Sequence, residues 1–369
     1  MCVTKLLKEL IKSELWGEQL SFSSIDKKDF SALQNIANMQ TVNGLVYSSL
    51  INNNVKLPQQ EALVAFGSLE NTKKANLLLN KNLIFLTELL EKHNIKFFVV
   101  KGQTIANSYP RPLHRVGGDI DFYCFAEDLE RLLSILHKEL NVEPKRNESE
   151  QHYTFLFNKT LFELHFTLYK FANTENQQYF DNLINSEPLS YIFIDNKKIP
   201  TLNPTLNLAY TFLHLFHHLI ELGVGLRQFC DVAILCHIAA MAEQEGDRKN
   251  CIDKAKLIEI LTRLDFLKAF TAIGTVLVDE IGLPEAEFPY TLTKKDYKRK
   301  KYILNVVYKR GNFGKYGRTT KVRSGIKYYI EQTNIKLSHY YHLFNLSRKE
   351  NIALITKEIP KKILQAIKR

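Results

Sequence analysis

Lys101 to Phe122 reads KGQTIANSYPRPLHRVGGDIDF, and its last residues decide the fold. A β-rich run, Lys96 to Val100 (KFFVV), leads into it and stops at Lys101-Gly102. The spacing predicts a short helix from about Gln103 to Asn107, broken by Pro110 and Pro112, whose rings cannot continue it. Asp119 to Cys124 is predicted as the next strand. Period-2 alternation then puts Asp119 and Asp121 on one face and Ile120 and Phe122 on the other. Two carboxylates held a few ångströms apart repel each other unless a cation lies between them. Hard divalent cations take oxygen ligands, and Mg²⁺ is commonly held by one or two carboxylates together with substrate phosphates. The pattern points to metal-assisted phosphoryl chemistry. The alternative is a solvated strand end after the Gly117-Gly118 turn.

Residues 1–95 are expected to form an N-terminal helical region. Leu6, Leu7, Leu10 and Ile11 recur at helical spacing, as do Leu77, Leu78, Leu79, Leu83, Leu86, Leu89 and Leu90. Residues 96–203 read as a compact α/β unit. After the Asp-x-Asp strand, Asp128 to Leu140 carries Leu129, Leu132, Leu133, Leu136 and Leu140 on a helical stripe. Tyr153–Phe157 and Leu161–Leu168 read as a hairpin across Asn158-Lys159, and Tyr191–Leu202 as another around Asp195-Asn196. In the first hairpin Glu163 and His165 share a face. Residues 204–290 return to helix (Leu206–Leu222, Gln228–Met241, Ala255–Leu267), and residues 291–369 form a basic C-terminal helical region. The expected fold class is α+β: a small mixed sheet flanked by helical regions.

Bulk composition narrows the class. The 369 residues are 45% hydrophobic and 24% charged, ordinary values for a globular protein. The most apolar stretch, Leu206 to Leu222, is interrupted by His214, His217, His218 and Glu221, so no transmembrane segment is expected. The N-terminus alternates Lys and Glu through its apolar residues and lacks a signal peptide's apolar block. Five cysteines form no Cys-x-x-Cys pair, which argues for free thiols in a reducing compartment. The expected location is cytoplasmic. Charge is uneven: Thr291 to Arg369 carries 21 Lys and Arg against 4 Asp and Glu, a net of +17. Such a block can hold nucleic acid, an anionic surface or a polyanionic substrate, or can be a solvated basic helix pair.

A strand, a glycine turn and a second strand bearing Asp-x-Asp have a direct mechanical reading. The Gly102 turn lets backbone N–H groups approach a triphosphate at a helix start. Asp119 and Asp121 would hold one or two Mg²⁺ (or Mn²⁺) between phosphates and an attacking hydroxyl. Glu163 is the best-placed third carboxylate, as a metal ligand or as acceptor of the hydroxyl's proton. Arg115 and Lys101 are cations beside the phosphates.

Lys101-Gly102, Tyr109-Pro110, Arg115, Gly118-Asp-Ile-Asp121, Glu163-Leu-His165, the run Gly225–Leu235 and Gly311-Asn-Phe-Gly314 occur in order. This ordered set resembles an uncharacterised bacterial nucleotidyltransferase family within the DNA polymerase beta-type nucleotidyltransferase superfamily. The resemblance spans most of the chain, to roughly Gly317. It implies Asp119, Asp121 and Glu163 as metal ligands and catalytic carboxylates. It also implies Lys101, Gly102, Gln103, Arg115 and Gly118 around the nucleotide's phosphates. One departure is Gln103, where the superfamily usually has Gly or Ser; Lys101 would supply by charge what the small residue supplies by backbone access.

Other residues carry two readings each. His165 contacts phosphate or is an ordinary hydrogen-bonded histidine. His214, His217, His218 and Glu221 share a helical face with metal-ligand spacing, or that face packs toward the cleft. Arg227 and Asp231 pair along a helix or face the nucleotide. Tyr302, Tyr308, Tyr316, Tyr328, Tyr329, Tyr340 and Tyr341 stack bases or line buried helix faces. The expected function is a Mg²⁺-dependent nucleotidyltransferase acting on a nucleoside triphosphate and a hydroxyl acceptor: a small molecule, glycan, protein or RNA. The alternatives are an RNA-modifying or toxin-like transferase, and a catalytically silent nucleotide-binding protein of the same fold.

Overall fold

The computed structural model describes residues 2–147, 151–221, 223–320 and 326–358. Among the basic C-terminal residues, Lys321, Arg323, Lys361, Lys362, Lys368 and Arg369 lie outside that set, as does the side chain of Tyr329.

Seven strands form one mixed sheet: β1 Phe97–Val100, β2 Asp119–Cys124, β3 Lys145–Arg146, β4 His152–Phe157, β5 Thr160–His165, β6 Ser190–Ile194 and β7 Lys197–Thr201. Their order is β3-β4-β5-β2-β1-β7-β6. β1 runs antiparallel to β2, and β2 runs parallel to β5. Both hairpins turn where expected. Asn158 and Lys159 have φ of 45° and 60°, and Asp195 and Asn196 have 46° and 66°. Paired positive φ values make the two-residue turn whose twist matches the strands. Each turn fixes its register, pairing Phe157 with Thr160 and Ile194 with Lys197.

Alternation divides the sheet into two environments. One face packs Val99, Ile120, Phe122, Phe155, Phe162 and Leu164 against the helices Gln59–Lys92 and Leu129–Leu140. Phe155 and Phe162 stack nearly parallel, with ring centroids 4.9 Å apart. The fully buried Phe122 and Phe162 each contribute roughly 1.5–3 kcal/mol through apolar burial. The other face bears the carboxylates and is roofed by a larger core. That core includes the helices Val3–Trp16, Pro204–Glu221, Leu226–Gln244 and Leu267–Val276.

The helical reading needs three adjustments. The leucine stripe beginning near Leu77 belongs to a 34-residue helix starting at Gln59. The helix expected to reach Leu267 ends at Arg263, because Asp265 turns the chain with φ 66° before another helix starts at Leu267. A helix at Thr174–Ser186, capped by the Asn173 side chain, was not anticipated. No described helix is long and apolar enough to cross a membrane. Of the C-terminal tyrosines, Tyr302, Tyr308 and Tyr340 pack against the core, while Tyr341 is exposed.

Candidate active site

The long helix Gln59–Lys92 sets the carboxylates in place through two buried asparagines. Asn76 Nδ2 donates to the carbonyls of Leu113 and Arg115, each at 2.8 Å, fixing the segment that enters β2. Asn82 Nδ2 donates to Thr160 Oγ1 at 2.6 Å, and Asn158 Nδ2 donates back to Asn82 Oδ1 at 2.6 Å, fixing the turn that enters β5. β2 and β5 then run in register: Asp119 opposite Leu161, Asp121 opposite Glu163 and Tyr123 opposite His165. Asp119, Asp121, Glu163 and His165 therefore share one sheet face, and all four line a cavity of about 310 Å³. Lys101, Gly102, Arg115, Gly118, His218, Arg227 and Asp231 line it too.

The two aspartates differ sharply. Asp121 is 3% exposed. Lys101 Nζ lies 2.7 Å from its Oδ1, and His165 Nε2 donates to the same oxygen at 2.9 Å. Burial opposes its charge, but Lys101 and His165 prevail and hold it well below the usual carboxylate range. The Asp119 carboxylate has no hydrogen-bond or ion-pair partner among the described residues. Burial, then the charge of Asp121, pushes it up to about 6.

Lys101 stands in a costly backbone conformation, φ 55° and ψ −150°, a region that only glycine enters easily. Thr104 locks it there, donating to the Lys101 carbonyl from its backbone N–H at 2.9 Å and its hydroxyl at 2.7 Å. Burial favours the neutral amine, but Asp121 outweighs it and raises the pKa. The helix after Gly102 spans only Gly102–Ala106. With so few aligned peptides its dipole is small, so Lys101 is the stronger electrostatic feature at this turn.

Three candidate residues take unexpected positions. Gln103 points away from the cavity and donates to Asn80 on the long helix. Arg115 is 3% exposed, and it grips Asp231 bidentately, Nε to Oδ1 at 2.7 Å and Nη2 to Oδ2 at 2.8 Å. The Tyr109 hydroxyl donates to Asp231 as well, at 2.7 Å. Asp231 thus pairs across 116 residues of sequence and not with Arg227, which donates from Nη1 to the Val116 carbonyl at 2.9 Å.

The helix Pro204–Glu221 supplies the opposite wall with Tyr210, His214, His217 and His218. His214 and His218 share a hydrogen bond between Nε2 atoms at 3.1 Å. Burial first, and neighbouring cations next, hold both far below the ordinary histidine value, so both are neutral. Glu221, on the same stripe, pairs instead with Lys336. Among the described residues, the three-residue group with metal-ligand spacing is His152, Glu163 and His165, whose ligand atoms lie within 4.8 Å of one another. His152 was not picked out from the sequence. The signal was there: a two-residue turn at Asn158-Lys159 that pairs 157 with 160 must also pair 152 with 165.

The residues fit a divalent cation. Asp119 is a half-buried carboxylate without a side-chain partner, its charge suppressed by partial burial and then by Asp121, and Glu163 lies across from Asp121 on the next strand. Asp119, Asp121 and Glu163 offer the oxygen donors that Mg²⁺ and Mn²⁺ take, while the imidazoles of His152 and His165 beside Glu163 would suit a softer divalent ion.

The chain shares 14% identity and a TM-score of 0.36 with the crystal structure of an antigenic nucleotidyltransferase-like protein from Paracoccidioides brasiliensis, over 57% of this chain and 97% of that one. No curated protein matches the sequence. Residues 26–278 match the family described as "Uncharacterised nucleotidyltransferase". On a match covering more than half its length, the chain belongs to that nucleotidyltransferase family.

Proposed function

We propose that the protein transfers a nucleotidyl group from a nucleoside triphosphate to a hydroxyl of an acceptor, with a divalent cation bound at Asp119, Asp121 and Glu163. The observation that carries this reading is the register of β2 and β5, with three carboxylates turned into one cavity beside a buried lysine. In the reaction the acceptor oxygen forms a bond to the α-phosphorus, the bond from that phosphorus to the bridging oxygen breaks, and pyrophosphate leaves. A bound Mg²⁺ or Mn²⁺ would neutralise charge building on the attacking and leaving oxygens.

The chain's own groups do the rest. Glu163 accepts the acceptor's hydroxyl proton. His165 fixes the orientation of Asp121 through its hydrogen bond. Lys101, already paired with Asp121, would meet the phosphate end only as part of that ion pair, in a cavity where exclusion of water strengthens such charges. Arg115 contributes indirectly. Its guanidinium is committed to Asp231, so it braces the approach to β2 rather than clamping phosphate.

The test is incorporation of label from each radiolabelled nucleoside triphosphate, with Mg²⁺ or Mn²⁺, into components of a cell extract, with pyrophosphate release followed in parallel. Wild type should label an acceptor, and Asp119→Asn with Asp121→Asn should reduce this by at least about 10³-fold while leaving the protein folded. Nucleotide binding by wild type without pyrophosphate release would replace this reading with a silent binding protein.

A further inference from the structure

Phe313 has no part in the chemistry above, yet it lines the same cavity and is 39% exposed. Its backbone lies in the left-handed region at φ 55° and ψ 26°, which a bulky residue adopts only when its surroundings force it. Those surroundings are well built. The buried neighbour Asn312 accepts a hydrogen bond from Gln228 Nε2 at 3.0 Å, tying the loop to the wall that carries Arg227 and Asp231. Gly223 lies so close that a Cβ there would fall 2.6 Å from Arg310 Cβ and 3.2 Å from Gly314 Cα. The fold thus holds an exposed aromatic ring in an unfavourable conformation at the cavity wall.

Position within the cavity points to what the ring meets. His214 and His218 both line the cavity that Lys101 and the carboxylates enter. His218 lies four residues further along the helix and meets Phe313 edge-on with ring centroids 4.8 Å apart. Along this wall His214 meets His218 edge to face, with ring centroids 4.4 Å apart, and His218 in turn meets Phe313. A triphosphate held at the carboxylates and Lys101 shares this cavity with the Phe313 ring. We infer that Phe313 is the platform on which the nucleobase of the triphosphate stacks. This rests on the nucleotidyltransferase reading and extends it to the base subsite. Stacking on an aromatic face tolerates any base, so the platform contributes affinity for nucleotides as a class. Lys315, 5.9 Å from the ring centroid, lies at the outer edge of cation–π range.

Calorimetric titration of wild type, Phe313→Gly and Phe313→Trp with nucleoside triphosphates and with inorganic tripolyphosphate, metal present, tests this. Glycine adopts the local conformation freely, so Phe313→Gly should keep or raise thermal stability while weakening nucleotide binding about tenfold. Phe313→Trp should stay within about threefold of wild type, and tripolyphosphate should bind all three alike. Nucleotide binding unchanged in Phe313→Gly overturns the base platform and leaves the transferase reading standing. An equal loss of tripolyphosphate binding also overturns it, because the loop then acts on the phosphate end. Failure of wild type to bind either ligand overturns both readings together.

Discussion

Replacing Asp119 with asparagine is expected to stabilise the metal-free protein while abolishing its turnover. The reason is the lone carboxylate on β2. Burial and the neighbouring Asp121 charge push its pKa from the ordinary 3.8 up to about 6. Each unit of such a shift is worth about 1.36 kcal/mol, which puts the cost of holding Asp119 ionised at no more than about 3 kcal/mol. Water reaching the partly exposed group lowers that figure, and a gain of about 1–2 kcal/mol is expected on removing the charge. In a chain of this length that raises the melting temperature by about 2–4 °C.

The sign follows from proton binding. The folded chain binds the Asp119 proton more tightly than the unfolded chain does, so the penalty is absent below the ordinary value, grows between 3.8 and about 6, and is complete above that. The advantage of asparagine should therefore be full near about pH 7.5 and vanish near about pH 4. A divalent cation should reverse the order. At a hundredfold excess over its dissociation constant it stabilises wild type by about 2.7 kcal/mol, and the variant by far less. The assay is differential scanning fluorimetry of both proteins in chelator and in Mn²⁺ or Mg²⁺, at both pH values. A variant no more stable than wild type in chelator at neutral pH, or one stabilised equally by metal, would refute the reasoning.

Two further outcomes separate structural from chemical roles around the same strand. Arg115→Met leaves Asp231 buried with the Tyr109 hydroxyl but without its bidentate cation; urea denaturation should show a loss of about 3–5 kcal/mol, whereas a residue serving phosphate alone would lower nucleotide affinity at unchanged stability. Within the Gly-Gly turn, a Cβ on Gly117 would fall 2.7 Å from Leu79 Cδ1 and 2.9 Å from Asn76 Oδ1, while one on Gly118 meets nothing within 4 Å. Gly117→Ala should accordingly cost about 1–3 kcal/mol, and Gly118→Ala should change stability by less than about 0.5 kcal/mol in the same denaturation series.

What could be read in advance was whatever local rules determine. Alternation over DIDFYC assigned each side chain of β2 to its face, and two polar turn pairs fixed two hairpins. The position of His152 was equally local, since it follows from the Asn158-Lys159 register. The partnership of Arg115 with Asp231 was not legible, because no periodicity links residues 116 apart in sequence. Sequence spacing instead suggested Arg227 with Asp231, a pairing open to any helix. Tertiary geometry overrode it when Tyr109 and Arg115 were packed over the start of the helix Leu226–Gln244. Gln103 escaped for a similar reason: its orientation depends on Asn80, on a helix whose place relative to β1 only the assembled core defines.

The same pairing explains why two aspartates two residues apart titrate in opposite directions. The cavity holds four carboxylates, and the protein's own cations settle two of them: Asp121 with Lys101, and Asp231 with Arg115. Asp119 feels the charge of Lys101 and, more weakly, of Arg227, but forms an ion pair with neither, since Lys101 is held by Asp121 and Arg227 Nη1 by the Val116 carbonyl. Among the described residues the ion-pair partners within reach of Glu163 are imidazoles, His165 at 3.5 Å and His152 at 3.8 Å, with Lys101 acting from further away, and burial shifts His152 toward its neutral form. The unsettled charge therefore sits on Asp119 and Glu163, on adjacent parallel strands either side of a carboxylate already held in place. A strand that carried Asp-x-Asp only as solvated surface would not need Lys101 in a glycine-like conformation to neutralise one aspartate while leaving the other unpaired. That division of charge distinguishes the two aspartates of the strand: one carboxylate is anchored by the protein's own lysine, and the other is left without a side-chain partner, which is where the proposed cation would sit.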